Sequence, residues 1–289
     1  MRSANGDSAR LPRRSPPKPM LRIRILTASV LGMGLLVSLF ALPAPWTVLV
    51  FAAVFTAGAW EWTGFGGLRG RTARLMCTAA AAALLALSWE WSDTPAHLMR
   101  LLELACAWWA IAFGWLTFAP ERHRPGLALL CGIPVLVPAF IALARVLVAA
   151  RGFARGPEMV LWMLLLVFAA DIGAFFAGRR WGRRKLAPHV SPGKTWEGAI
   201  GGLAAVAGVA LTGALHFDLP PAGCVAFGCA VGAFSIIGDL TESMFKRAAG
   251  LKDSGNLLPG HGGVLDRIDS VTAAAPLYAL GLFGSGVIE

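Results

Sequence analysis

Asp239, Glu242, Ser243 and Lys246 recur at i, i+3, i+4 and i+7, and Asp266, Asp269 and Ser270 at i, i+3 and i+4. On helices, each set lies along one face. Between the sets run Arg247, Lys252, Asp253 and a glycine-rich turn, Pro259-Gly260-His261-Gly262-Gly263. Carboxylates presented from two helices on either side of one loop suit a hard divalent cation such as Mg²⁺, which takes oxygen ligands and keeps substrate phosphates in its shell. Lys246, Arg247, Lys252, Arg267 and the glycine N–H groups suit phosphate oxygens. The chemistry described by these residue types is metal-assisted phosphoryl or nucleotidyl transfer. A solvated loop whose charges serve only topology is the competing account, but such charges need not fall on shared helical faces.

A second polar stretch runs from Asp171 to Gly202. Asp171 follows a strongly apolar run, Met159 to Ala170. A carboxylate there costs about 2.5–3.5 kcal/mol at a bilayer centre and is expected to face a polar cavity or a cation. Ser191-Pro192-Gly193-Lys194-Thr195-Trp196-Glu197-Gly198 comes next. Gly193-Lys194-Thr195 is not a nucleotide-binding P-loop, because Pro188 stands where the first glycine would be and no buried strand precedes it. The segment instead starts a helix, whose N-terminus beside Lys194 suits phosphate.

These residues need elements to hold them, and the composition defines which. The 289 residues are 56% hydrophobic and only 15% charged, with mean hydropathy +0.64. The apolar residues come in long runs, so the expected class is an all-α polytopic membrane protein. Nine transmembrane helices are expected, at about 22–42, 45–62, 73–91, 98–118, 127–149, 158–178, 197–216, 221–240 and 265–288. Pro276 is expected to break the last. Residues 1–20 are expected to form a disordered, basic cytoplasmic tail, since Pro12, Pro16, Pro17 and Pro19 oppose a helix. The helices divide into an N-terminal set over 21–150 and a C-terminal catalytic region over 151–289, with polar loops at 179–196 and 241–266.

The net charge is +10, and the basic residues flank apolar runs rather than forming a nucleic-acid surface. With the N-terminus inside, 22 of the 26 Lys/Arg fall on the cytoplasmic side, as the positive-inside rule requires. Both polar loops then face the cytoplasm, where nucleoside triphosphates are. Such charge also favours membrane lipids with anionic head groups. The five cysteines form no C-x-x-C pair and are expected to be buried, inert thiols. The run Ala79 to Ala83 suggests a helix-packing surface, and the tryptophans near helix ends suggest interfacial anchors.

Ser243-x-x-Lys246-Arg247, Lys252-Asp253-Ser254-Gly255, Pro259-Gly260-His261-Gly262-Gly263 and Asp266-Arg267-Ile268-Asp269-Ser270 together resemble the signature of the phosphatidate cytidylyltransferases, or CDP-diacylglycerol synthases. Asp171 and the Ser-Pro-x-Lys-Thr-x-Glu-Gly stretch at 191–198 resemble the same family. Phe175 stands where tyrosine is expected. The resemblance is specific over about 171–270 and loose elsewhere, including the Trp60-Glu61-Trp62 helix end. It implies transfer of the cytidylyl group of CTP to phosphatidate, giving CDP-diacylglycerol and pyrophosphate, in a bacterial inner membrane. It is compatible with a homodimer.

In that reaction Asp239 and Asp266 are expected to hold the main Mg²⁺, with Asp171 and Asp269 lining the site and able to serve a second metal ion. Lys194, Lys246, Arg247 and Arg267 are expected to hold triphosphate or lipid phosphate. Ser191, Thr195, Ser243, Lys252, Gly260, Gly262 and Gly263 complete the substrate contacts. His261 could donate to a phosphate or help a proton leave, or only fix its turn. Three other accounts are a CTP-dependent transferase with another lipid acceptor, an ion-coupled transporter and a lipid-binding scaffold. The transporter would place its carboxylates near the bilayer midplane, and the scaffold would leave the paired carboxylates unexplained.

Overall fold

The computed structural model describes residues 18–120, 125–149 and 156–288. The tail expected over 1–20 lies outside these, apart from the first turn of α1. The described residues form nine helices: α1 (Lys18–Phe40), α2 (Ala44–Phe65), α3 (Arg71–Trp91), α4 (Pro95–Phe118), α5 (Pro125–Val148), α6 (Gly156–Trp181), α7 (Trp196–His216), α8 (Pro221–Ala248) and α9 (Leu265–Gly284). Between α6 and α7 lies a two-stranded antiparallel hairpin, β1 (Lys185–Ala187) with β2 (Ser191–Thr195). Helix α2, like α4 and α8, begins with proline in its first turn, where the missing N–H has no helical partner to lose. Thr195 caps α7 by accepting from the Gly198 N–H at 3.1 Å.

Helices α1 to α8 are long and apolar enough to cross a membrane, and the chain is an integral membrane protein. Helix α9 carries Asp266, Arg267 and Asp269 in its first turns. Beyond these charges the helix packs inside the bundle, where Val271 to Pro276 are all buried. The expected break at Pro276 does not occur. The helix runs through it, as buried membrane helices allow when their neighbours cover the freed backbone. Tyr278 donates to the Met159 carbonyl at 3.0 Å and ties α9 to α6.

Helix α5 is the central post, with Ala139, Ile141 and Ala144 fully buried. Helices α6 and α7 approach closely. A Cβ on Gly202 would lie 2.6 Å from the Ala170 carbonyl oxygen, and one on Gly201 2.1 Å from the Ala177 side chain. Small residues permit this approach. The alanines at 79–83 do not serve that purpose: α3 is peripheral and buries only Leu85. Trp62 is not an interfacial anchor either. It is buried, and its Nε1 donates to the Ala128 carbonyl at 2.8 Å.

Two boundaries differ from expectation. Helix α8 continues to Ala248, so the second polar loop spans 249–264 rather than 241–266. Within 179–196, the chain forms the β1–β2 hairpin instead of an irregular loop. Glu197 holds its base, accepting from the Arg183 N–H at 3.0 Å and the Arg184 N–H at 3.2 Å.

Candidate active site

The site is built where the C-terminal end of α8 meets the N-terminal end of α9. An α-helix begins with N–H groups that have no helical acceptor. At α9 they are satisfied by a side chain from α2, about 200 residues earlier in the chain. Glu61, 2% exposed, accepts from the Leu265 N–H at 2.8 Å and the Val264 N–H at 3.1 Å. It also accepts from the Ser254 hydroxyl at 2.9 Å. A carboxylate at a helix N-terminus is favoured by the helix dipole as well as by these bonds. The close approach requires glycine at 263, where a Cβ would lie 2.0 Å from Ser254 Oγ and 2.4 Å from Glu61 Oε2.

Asp266 completes the clamp. Its Oδ2 accepts from the N–H groups of Ser254 at 2.9 Å and Gly263 at 3.0 Å. Its Oδ1 accepts from Lys246 Nζ at 2.6 Å. The Pro259–Gly263 turn is closed by Leu258 pairing with Gly262. Gly262 has φ +86°, a left-handed conformation open to glycine. The N–H groups of His261 and Gly262 both reach the Leu258 carbonyl. Helix α1 supports the turn from outside, with Arg24 donating to the Gly260 carbonyl and Thr27 to that of Pro259, both at 3.1 Å. The glycine-rich turn therefore engages the N–H groups of His261 and Gly262 within itself and that of Gly263 on Asp266.

Lys246 lies between two carboxylates, 2.6 Å from Asp266 and 3.1 Å from Glu242. Glu242 is 3% exposed; its Oε1 is held by the Lys246 ion pair alone, and its Oε2 has no partner among the described residues. Asp239, one turn back on α8, pairs with Lys194 from the hairpin, and Ser243 Oγ lies 3.4 Å from Asp239 Oδ1. Asp269 accepts from the Ser270 N–H at 2.7 Å and lies within electrostatic reach of Glu242, Asp239 and Lys246. Asp171 on α6 is within reach of Asp239, Lys194 and Arg267. Arg267 donates to the His261 carbonyl at 3.0 Å. One cluster thus gathers five carboxylates and three cations, a formal surplus of two negative charges.

The structure brings together Asp171, Lys194, Asp239, Ser243, Lys246, Asp266, Arg267 and Asp269. It leaves Ser191, Arg247 and Lys252 outside the cluster's bonds. Ser191 pairs with Ala187 in the hairpin. Arg247 is exposed, 3.4 Å from the Leu251 carbonyl, and Lys252 is exposed on the loop. Thr195 is occupied as the cap of α7. Phe175 is exposed and packs edge-on against Phe176. Glu61 was not among the expected site residues, and Glu242 was placed on the acidic face but given no role of its own. Glu242 shares the helical face of Asp239 and Lys246, as its spacing indicated, and the structure adds its burial against Lys246. Glu61 has no local signal, because its partners are distant in sequence.

A bundle that crosses the bilayer and gathers carboxylates and lysines at one end defines a polytopic membrane protein with a site for charged substrates. Residues 22–283 match the model of the cytidylyltransferase family, and the chain belongs to that family. It is 38% identical to a phosphatidate cytidylyltransferase of Haemophilus influenzae, over 90% of this chain and 98% of that protein. It is 42% identical to one of Pseudomonas aeruginosa, over 92% and 98% of the two chains. A third, from Brucella suis, is 39% identical over 70% of this chain and 81% of its own.

Proposed function

We infer that this protein transfers the cytidylyl group of CTP to phosphatidate, giving CDP-diacylglycerol and pyrophosphate. Within the family, the observation that carries this reading is the mixed cluster of carboxylates and lysines at the meeting of α8 and α9. A phosphate oxygen of phosphatidate attacks the α-phosphorus of CTP. A new P–O bond forms, the bond from that phosphorus to the oxygen bridging to the β-phosphate breaks, and pyrophosphate leaves. The lipid phosphate is already anionic near neutral pH, so no strong general base is needed. The barrier lies in bringing two polyanions together, which fixed cations lower.

The donor set fits Mg²⁺. The cluster has a formal negative surplus, and buried Glu242 has one oxygen, Oε2, with no partner among the described residues. Among the described residues, no three acidic, histidine or cysteine groups converge into a cage of their own. That suits an ion held by one or two carboxylates plus substrate phosphates. Asp239 and Asp266 would hold it, with Asp171 and Asp269 lining the site or serving a second ion. Bound there, Mg²⁺ supplies charge neutralisation at the reacting phosphates. Lys194 and Lys246 now pair with Asp239 and Asp266, and they are placed to turn onto the triphosphate when it arrives. Arg267 would steady the turn as well as the phosphates. Ser191, Arg247 and Lys252 would contact substrate only at the rim.

The charge bias supports an orientation in a bacterial inner membrane with this end in the cytoplasm, the source of CTP. A homodimer is supported by the family resemblance alone, and the mass of the solubilised particle reads it out. The function is tested by supplying purified, detergent-solubilised protein with phosphatidate, labelled CTP and Mg²⁺. Lipid-extractable label that disappears with a chelator is the expected result. Folded protein that labels no lipid phosphate would overturn the reading.

A further inference from the structure

A groove between α2 and α3 plays no part in the cluster described above. It opens beside the same end of the bundle and encloses about 860 Å³, within the range of ligand-binding clefts. Ala53, Ala57 and Leu75 form part of its apolar wall, and Arg69, Arg71 and Arg74 line its polar end. Arg74 is fixed: it donates to Thr63 Oγ1 at 2.8 Å and to the Trp60 carbonyl at 2.9 Å, and it stacks 4.2 Å above the Trp60 ring. Arg69 and Arg71 are exposed and have no acidic partner among the described residues.

Three guanidinium groups at the mouth of an apolar trough, on a helix pair that faces lipid, are complementary to an amphiphile with an anionic head. Guanidinium binds phosphate oxygens in pairs, and basic residues at the membrane surface attract anionic lipid. We propose that this groove binds an anionic glycerophospholipid, its phosphate on Arg69 and Arg71 and an acyl chain along α2 and α3. Leu257 of the 249–264 loop also lines the groove. Trp60, another lining residue, adjoins Glu61, which caps α9. The bound lipid therefore touches the loop that holds the reaction centre. It need not itself react, so the proposal stands apart from the proposed reaction.

The test is native mass spectrometry on the full chain, delipidated in detergent and titrated in parallel with dioleoyl phosphatidylglycerol and dioleoyl phosphatidylcholine. The wild type is expected to retain phosphatidylglycerol about tenfold better than phosphatidylcholine. Arg69→Gln/Arg71→Gln should erase most of that preference. Arg179→Gln/Arg180→Gln, which removes equal charge at the exposed end of α6, should keep it. Ala57→Trp, which fills the trough, should reduce retention of both lipids. Equal retention of the two lipids by the wild type, or an unchanged preference in the Arg69/Arg71 variant, overturns the proposal. The arginine pair decides the matter even if Ala57→Trp does not fold.

Discussion

Asp266 performs two tasks with one carboxylate. Its Oδ2 holds two loop N–H groups, and its Oδ1 meets Lys246. Asp266→Asn therefore disturbs the loop as well as any metal, and its loss of turnover has two explanations. Asp239 holds no backbone group, only Lys194 and Ser243. Asp239→Asn is expected to lower turnover by about 10²-fold or more while leaving thermal unfolding unchanged. Near wild-type pyrophosphate release from that variant would remove Asp239 from the proposed metal site. Glu61 makes the complementary case. Glu61→Gln turns an amide N–H₂ toward donors that now meet a carboxylate oxygen, at a cost of about 1–3 kcal/mol for each orphaned group. Its unfolding temperature and its turnover should fall together. A fall in turnover alone would mean that Glu61 acts on substrate and not on the loop.

At the scale of elements, the site depends on three helix starts and ends being fixed against one another. The first turn of α9 is closed by Glu61, and the loop before it passes so near that residue 263 has no room for a side chain. Gly263→Ala should destabilise the protein by about 1–3 kcal/mol and lower CTP affinity, as measured by unfolding and by nucleotide titration. An unchanged unfolding temperature would show that the loop relaxes freely. At α7 the cap is local. Thr195→Ala should cost about 1 kcal/mol, and Thr195→Ser, which keeps the hydroxyl, should restore most of it. If Thr195→Ser is as unstable as Thr195→Ala, the cap is not what Thr195 contributes. The hairpin matters because it carries Lys194 onto Asp239, and Glu197 anchors its base.

At the scale of the whole molecule, the charge bias predicts an orientation with the site end in the cytoplasm. Lys252 lies on the exposed loop at the site end. The Asp93 side chain is 83% exposed, at the turn between α3 and α4, and the helix order places that turn at the opposite end. The five native cysteines are buried or half-buried, so introduced thiols can be distinguished by an impermeant maleimide. Asp93→Cys should label in intact cells, and Lys252→Cys only after the membrane is opened. The reverse pattern would invert the topology and place the site away from CTP.

The sequence by itself determined the membrane class, the helix positions and most of the charged cluster. Those features rest on local pattern: long apolar runs, and carboxylates and lysines at helical spacing. Asp239, Lys246, Asp266 and Asp269 were legible for that reason. The first two differences at 179–196 and 241–266 are also local, arising where polar helix ends and hairpins share one composition. Only the tertiary structure decided that Glu61 closes α9, that Lys194 meets Asp239, that α9 continues through Pro276 and that the small-residue contact joins α6 to α7. Each depends on which helices become neighbours. A side chain's partner, unlike its helical face, is set by packing between segments far apart in the chain.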